Sequence, residues 1–115
     1  MIAHVVLFRP KPQLSDDERA AFVATFEHAL SHIALITRAR VGRRITLGRQ
    51  YDQQNAESYP FAAILEFANE ADLRAYLDHP AHHALGEQFY ATAESAMVFD
   101  YELAEGEQAG SYLRR

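Results

Sequence analysis

Histidines and one tyrosine are the side chains here best suited to moving protons. His4 interrupts the apolar run Ile2-Ala3-His4-Val5-Val6-Leu7-Phe8, and His79, His82 and His83 cluster around Pro80, just after Tyr76. Imidazole titrates near neutrality, so it can take a proton and return one in the same cycle. A tyrosine hydroxyl can donate to a substrate carbonyl or to the enolate formed when the adjacent carbon loses a proton. Each residue also has a structural reading. A buried imidazole at His4 needs a partner or water, and a hydrogen bond made for structure would satisfy it. Tyr76 shares its helix with Leu73 and Leu77, which suits a core residue with its hydroxyl at the edge.

Close-set histidines also raise the question of a metal. His79 and His82 can share a helix face, but zinc needs a further ligand in reach, and His83 points away from His82. No metal is expected there. His79 is instead placed to cap the helix that Pro80 begins. The absence of cysteine removes disulfides, thiolate metal sites and cysteine nucleophiles. No Gly-rich phosphate loop, serine nucleophile elbow or paired-carboxylate signature occurs, and no cofactor is expected. Arg38, Arg40 and Arg44 form a row that reads as a solvated face or as a contact for an anion. Arg43, on the opposite side of the same strand, is placed to enter a pocket or pair with a carboxylate. Asp100, in an apolar strand, reads as a partner for an arginine or a cap, without a catalytic role.

The elements that must position these residues follow from pattern. Residues 2 to 8 alternate as a strand, with Ile2, His4, Val6 and Phe8 on one face and Ala3, Val5 and Leu7 on the other. Both faces are mostly apolar, so both should be covered. Ser15 and Glu18 form a capping box, opening a helix from about Asp16 to Ile33 with Phe22, Phe26, Ala29, Leu30 and Ile33 on one stripe. Residues 37 to 47 alternate as a second strand, and the polar residues 48 to 59 read as a loop. Residues 60 to 67 form a third strand. Asn69 caps a helix that stops near Asp78, because the residue before a proline avoids helical geometry. Pro80 suits the first turn of the next helix. Residues 96 to 103 form the last strand, and the polar tail 104–115 is expected to be loose.

Strand, helix, strand, strand, helix, strand is the split βαβ, ferredoxin-like α+β pattern. Helices would cover one face of an antiparallel sheet. Val6, Phe8, Phe61 or Phe67 on the other face would call for a partner, most simply a second copy about a two-fold axis. In that reading the homodimer encloses a pocket and His4 points into it. The 115 residues fit one domain, and 49% are hydrophobic, enough for a core. A net charge of −5 disfavours nucleic acid. The start of the chain lacks the features of a signal peptide and no stretch reaches membrane-span length, so a cytoplasmic protein with no membrane partner is expected.

Ile2 to Phe8, His79-Pro80-Ala81-His82 with Tyr76 ahead of it, and Val98-Phe99-Asp100-Tyr101 together resemble the stress-responsive A/B barrel (Dabb) family over residues 1–103. The resemblance implies a dimeric α/β barrel. One plant member of that family is a polyketide cyclase that closes a linear tetraketide by aldol chemistry. Its pocket histidines and tyrosine match His4, His82 and Tyr76, and His79 matches a further histidine. A pocket tyrosine of that cyclase falls at Phe26.

Competing functions follow. One is a cofactor-free lyase, cyclase or isomerase in which His4, Tyr76 and His82 are catalytic and Phe26, His79 and Arg43 contact a small hydrophobic or carbonyl-containing substrate. Another is a non-catalytic, stress-related protein that holds such a molecule. A monooxygenase or haem-binding role rests on analogy with other barrels of this architecture.

Overall fold

The computed structural model describes residues 1–55 and 58–114. Its elements are β1 (Ile2–Pro10), α1 (Asp16–His32), β2 (Arg38–Arg43), α2 (Gln50–Gln54), β3 (Phe61–Phe67), α3 (Glu70–Asp78), α4 (Pro80–Thr92) and β4 (Ala93–Glu102). A 3-10 turn at Gly106–Gln108 and α5 (Gly110–Leu113) give the expected loose tail local helical structure. The strands form a four-stranded antiparallel sheet in the order β2-β3-β1-β4, the ferredoxin-like arrangement.

The helix starts follow the sequence closely. Ser15 Oγ accepts from the Glu18 amide at 3.1 Å, and Glu18 Oε1 accepts from the Ser15 amide at 3.0 Å. Asn69 Oδ1 accepts from the Asp72 amide at 2.8 Å. These contacts satisfy donors that the first turns of α1 and α3 leave unpaired. β2 is shorter than the alternating pattern predicts. Its ladder ends at Arg43 opposite Phe61, where β3 begins, so residues 44 to 47 have no strand to pair with. The expected 48–59 loop contains α2, where Asp52 Oδ2 accepts from the Leu47 and Arg49 amides at 2.9 and 3.1 Å. Ala56 and Glu57 of that loop, and Arg115 of the tail, lie outside the described residues.

The sheet register decides which residues face the helices. Ala63, Leu65 and Phe67 alternate with half-buried Ala62, Ile64 and Glu66 along β3. Leu65 and Phe67 join Ala29, Ile33, Leu73, Tyr76, Ala81 and Leu85 in the core beneath the helices. His4 is paired with Leu65, and Phe8 with Phe61, so His4, Phe8, Phe61 and Phe67 all lie on the helix side. This corrects the expectation that Val6, Phe8, Phe61 or Phe67 belong to the uncovered face; Val6, paired with buried Ala63, lies on the helix side too. Phe8 instead packs against Phe22 of α1 and Phe89 of α4, with ring centroids 6.1 and 5.4 Å apart. The open face carries the alternate set, including Val5, Leu7, Ile64, Met97, Phe99 and Tyr101. Because β1 is apolar on both faces, its composition alone does not say which face the helices choose. Among the described residues, no helix is long and apolar enough to cross a membrane.

Candidate active site

Tyr76 brings the candidate residues together. Its position on α3 turns it inward beside Leu73, and both are buried. The ring makes edge-on contacts with His4 of β1 at a centroid distance of 5.8 Å and with His82 of α4 at 4.7 Å. It also packs on Phe67 at 5.0 Å. Strand and helices therefore converge here: β1 supplies His4 from below, α3 supplies Tyr76, and the first turn of α4 supplies His82.

The break between α3 and α4 sets the angle at which His82 enters. His79 ends α3 and caps α4, its Nδ1 accepting from the Ala81 amide at 3.0 Å. Pro80 follows in the first helical turn, where its missing N–H costs nothing. His79 thus acts on the backbone that carries His82, as the sequence predicts for a cap.

Asp100, which the sequence suggests as an arginine partner or a cap, has a different partner. It sits directly across from His4 in the β1–β4 pairing. His4 Nδ1 donates to Asp100 Oδ1 at 2.6 Å. The expected arginine partner is replaced by a histidine. A carboxylate on Nδ1 fixes the proton there and leaves Nε2 with its lone pair. The missed signal is a register one: an aspartate in one apolar strand opposite a histidine in another, recognisable only once the pairing is known.

Burial sets the protonation states of the other members. Desolvation pushes the Tyr76 hydroxyl up to about 12, so it remains a neutral donor at ordinary pH. His82 is shifted below the usual imidazole value, first by desolvation and further by His4 and His83 nearby, while the Leu77 backbone and Asp78 act in the opposite direction. The neutral ring is therefore favoured. Its Nδ1 is buried and has no hydrogen-bond partner among the described residues.

A cavity of about 420 Å³ lies between α1 and the same face of the sheet. Phe8, Phe22, Phe26, Leu30, Val41 and Phe61 give it an apolar lining, and Arg19 and Glu27 stand at α1 beside it. Phe26 is therefore a cavity residue. His4, Tyr76 and His82 lie outside its lining. Phe8 follows His4 by four residues on the same strand face, which spaces them by about 13 Å. Phe22, Phe26 and Leu30 also pack against the core that contains Tyr76, so cavity and cluster are neighbours in one layer. His4 thus faces the helix layer of its own chain, not the open face on which two copies would meet.

Arg43 does not join this group. It is exposed at the end of β2 and borders a separate cleft with Leu7, Tyr59, Phe61 and Met97. Arg40 pairs with Glu66 at 3.6 Å and Arg44 with Asp52 at 3.9 Å, so part of the arginine row is tied to carboxylates. No group of three or more histidines and carboxylates is gathered for a metal ion among the described residues.

Comparison with known proteins agrees with this architecture. Olivetolic acid cyclase from Cannabis sativa is 20% identical over 100 residues, covering 87% of this chain and 94% of the cyclase. A dimeric ferredoxin-like protein from Bacteroides fragilis is 27% identical with a TM-score of 0.62, over 89% of this chain and 95% of that one. Hydroxynitrile lyase from Passiflora edulis has the same fold with a TM-score of 0.76 at 19% identity, covering 90% of this chain and 94% of the lyase. The stress responsive A/B barrel domain (Dabb) matches residues 2–103, and the chain belongs to that family.

Proposed function

We propose that the protein is a cofactor-free acid–base catalyst, a lyase, cyclase or isomerase, acting on a small carbonyl compound with an apolar portion. The observation that carries this reading is the contact of Tyr76 with both His4 and His82. Neutral His82 takes a proton from the carbon next to the carbonyl. The Tyr76 hydroxyl donates to the oxygen on which negative charge develops. It is suited to this because burial keeps it protonated while the enolate forms. His4, oriented by Asp100, presents Nε2 to the same region and positions the substrate. In a ring closure the enolate carbon then bonds to a second carbonyl carbon of the same molecule, and that carbonyl's oxygen takes the proton from His82; in an isomerisation the proton returns to another carbon, and either route closes the cycle.

Phe26 and its neighbours take the apolar portion in the adjoining cavity. Phenylalanine there keeps the apolar surface but offers no hydroxyl, which favours a substrate that is hydrophobic at this point. His79 acts through the cap that sets His82. Arg43 has no part in the reaction so described. The printed activities of two relatives, a cyclase and a hydroxynitrile lyase, support carbonyl chemistry of this kind.

The working unit in this reading is a homodimer joined through the open sheet face. Exposed Met97, Phe99 and Tyr101 would otherwise leave an apolar surface in water, and a relative is described as dimeric. A monomeric mass by light scattering would contradict this assembly.

The apolar cavity beside the histidines also supports a second reading, a binding protein with no reaction. One assay separates the two. The protein is incubated with a linear poly-β-keto thioester, and products are followed by chromatography. Conversion by the unaltered chain that is lost in His82→Ala supports catalysis. Conversion unchanged in His82→Ala removes His82 from the mechanism. A bound compound recovered unchanged favours the binding protein.

A further inference from the structure

Two of the histidines left over from the candidate site make a pair of their own. His28 and His32 stand four residues apart at the end of α1, both exposed. Residues at this spacing project from one helix face. Their rings are stacked with centroids 3.8 Å apart and planes inclined by 23°.

The hydrogen bonds around His32 fix its tautomer. Its Nδ1 lies 2.9 Å from the His28 carbonyl oxygen and 2.9 Å from Ser31 Oγ. The Ser31 hydroxyl itself donates to that carbonyl at 3.0 Å. A carbonyl only accepts, so the ring proton sits on Nδ1 and the Nε2 lone pair is free. Fixing the tautomer through the second nitrogen is how proteins orient ligating histidines. Among the described residues nothing hydrogen-bonds the His28 ring, so rotation of its exposed side chain can bring the paired nitrogens onto a common point.

We propose that His28 and His32 form an exposed two-imidazole site for a borderline divalent transition-metal ion, Cu²⁺ ahead of Ni²⁺. Imidazole suits these ions, and their order follows the general affinity series. The site ends a helix, where the peptide dipoles favour a positive charge, on a chain whose net charge is −5. Two protein ligands leave the remaining coordination positions to water, so the ion sits at the surface and exchanges with the medium.

The test is calorimetric titration of the untagged chain with NiCl₂. One ion should bind per chain. His28→Ala and His32→Ala should each weaken binding by about tenfold or more, and Ser31→Ala by less, because it removes only the contact that orients His32. His83→Ala, on the exposed face of α4, should leave it unchanged. Alanine preserves the helix, and circular dichroism verifies that each variant is folded. No binding by the unaltered chain, or binding retained when both His28 and His32 are replaced, would overturn the proposal.

Discussion

His4 of β1 donates from Nδ1 to Asp100 Oδ1 of β4 at 2.6 Å, across a register that places the two residues directly opposite. The histidine is buried at 5% exposure, while the aspartate side chain remains 46% exposed. A solvated carboxylate is thus aimed at a dry imidazole. It fixes the tautomer without itself having to be desolvated, and it leaves Nε2 with its lone pair.

Replacing Asp100 by asparagine tests this orientation. The amide keeps the shape but can offer an N–H in place of the carboxylate, which reverses the tautomer of His4. Turnover should fall by about a hundredfold, within the range that positioned acid–base groups contribute. The exposed edge position should leave the thermal midpoint nearly unmoved. Steady-state kinetics together with a melting curve check the pair of outcomes.

Tyr76→Phe separates packing from chemistry. The ring against Phe67 and the histidines is retained, and the hydroxyl's loss breaks no hydrogen bond among the described residues, so stability should change by less than about 1 kcal/mol. Activity should fall by about a hundredfold or more, as for loss of a donor to developing negative charge. The same variant should resist alkali better. The Tyr76 hydroxyl titrates at about 12 in the folded chain against 10.0 normally, so its contribution to stability is complete below pH 10 and is lost as pH rises towards the folded value. Urea melts at rising pH measure this directly.

His82 gives the acid limb. Its folded pKa lies below the ordinary 6.5 because burial disfavours the charged ring. The unfolded chain therefore binds the proton first. The stability that follows is complete above pH 6.5 and is lost as pH falls through the lowered folded value. Activity should follow the neutral ring, holding through pH 6.5 and declining only at the lower pKa. A pH–rate profile, with a ¹H–¹⁵N titration of the His82 ring, tests both statements. An inflection at or above 6.5 would contradict them.

The cavity can be closed without touching the histidines. Val23 of α1 lines it and is 50% exposed, so a bulkier side chain there can be accommodated at the surface. Val23→Trp should raise KM for a substrate with a long alkyl portion by about tenfold, equivalent to losing one or two buried methylenes. It should leave a short analogue unaffected. Equal effects on both substrates would place the apolar portion elsewhere.

Much of this was legible in the residues themselves. The Ser15–Glu18 capping box, the Asn69 cap and the His79-Pro80 break locate helix starts through local hydrogen bonding and fixed backbone angles. These operate within a few residues and need no tertiary information. Tyr76, His82 and His4 were marked by type and by resemblance. What stayed hidden depends on pairing between distant segments. The choice of helix-side face for β1 could not be read from a strand apolar on both sides, so Phe8, Phe61 and Phe67 were expected on the wrong surface. Asp100 reads as an arginine partner or a cap, because its histidine partner lies 96 residues away in the chain. The early end of β2 at Arg43 reflects where β3 begins, which no property of residues 44 to 47 announces.

The central claim is that His82 moves a proton at carbon with Tyr76 as donor. Deuterium incorporation at the carbon between the carbonyls of an alkyl-substituted 1,3-diketone, followed by NMR in D₂O, tests it most directly, because exchange needs no knowledge of the natural product. The protein should accelerate exchange above the buffer rate, and His82→Gln and Tyr76→Phe should each lose most of that acceleration. Exchange at the buffer rate with the unaltered chain, despite binding of the diketone, or acceleration that survives in His82→Gln, would contradict the account.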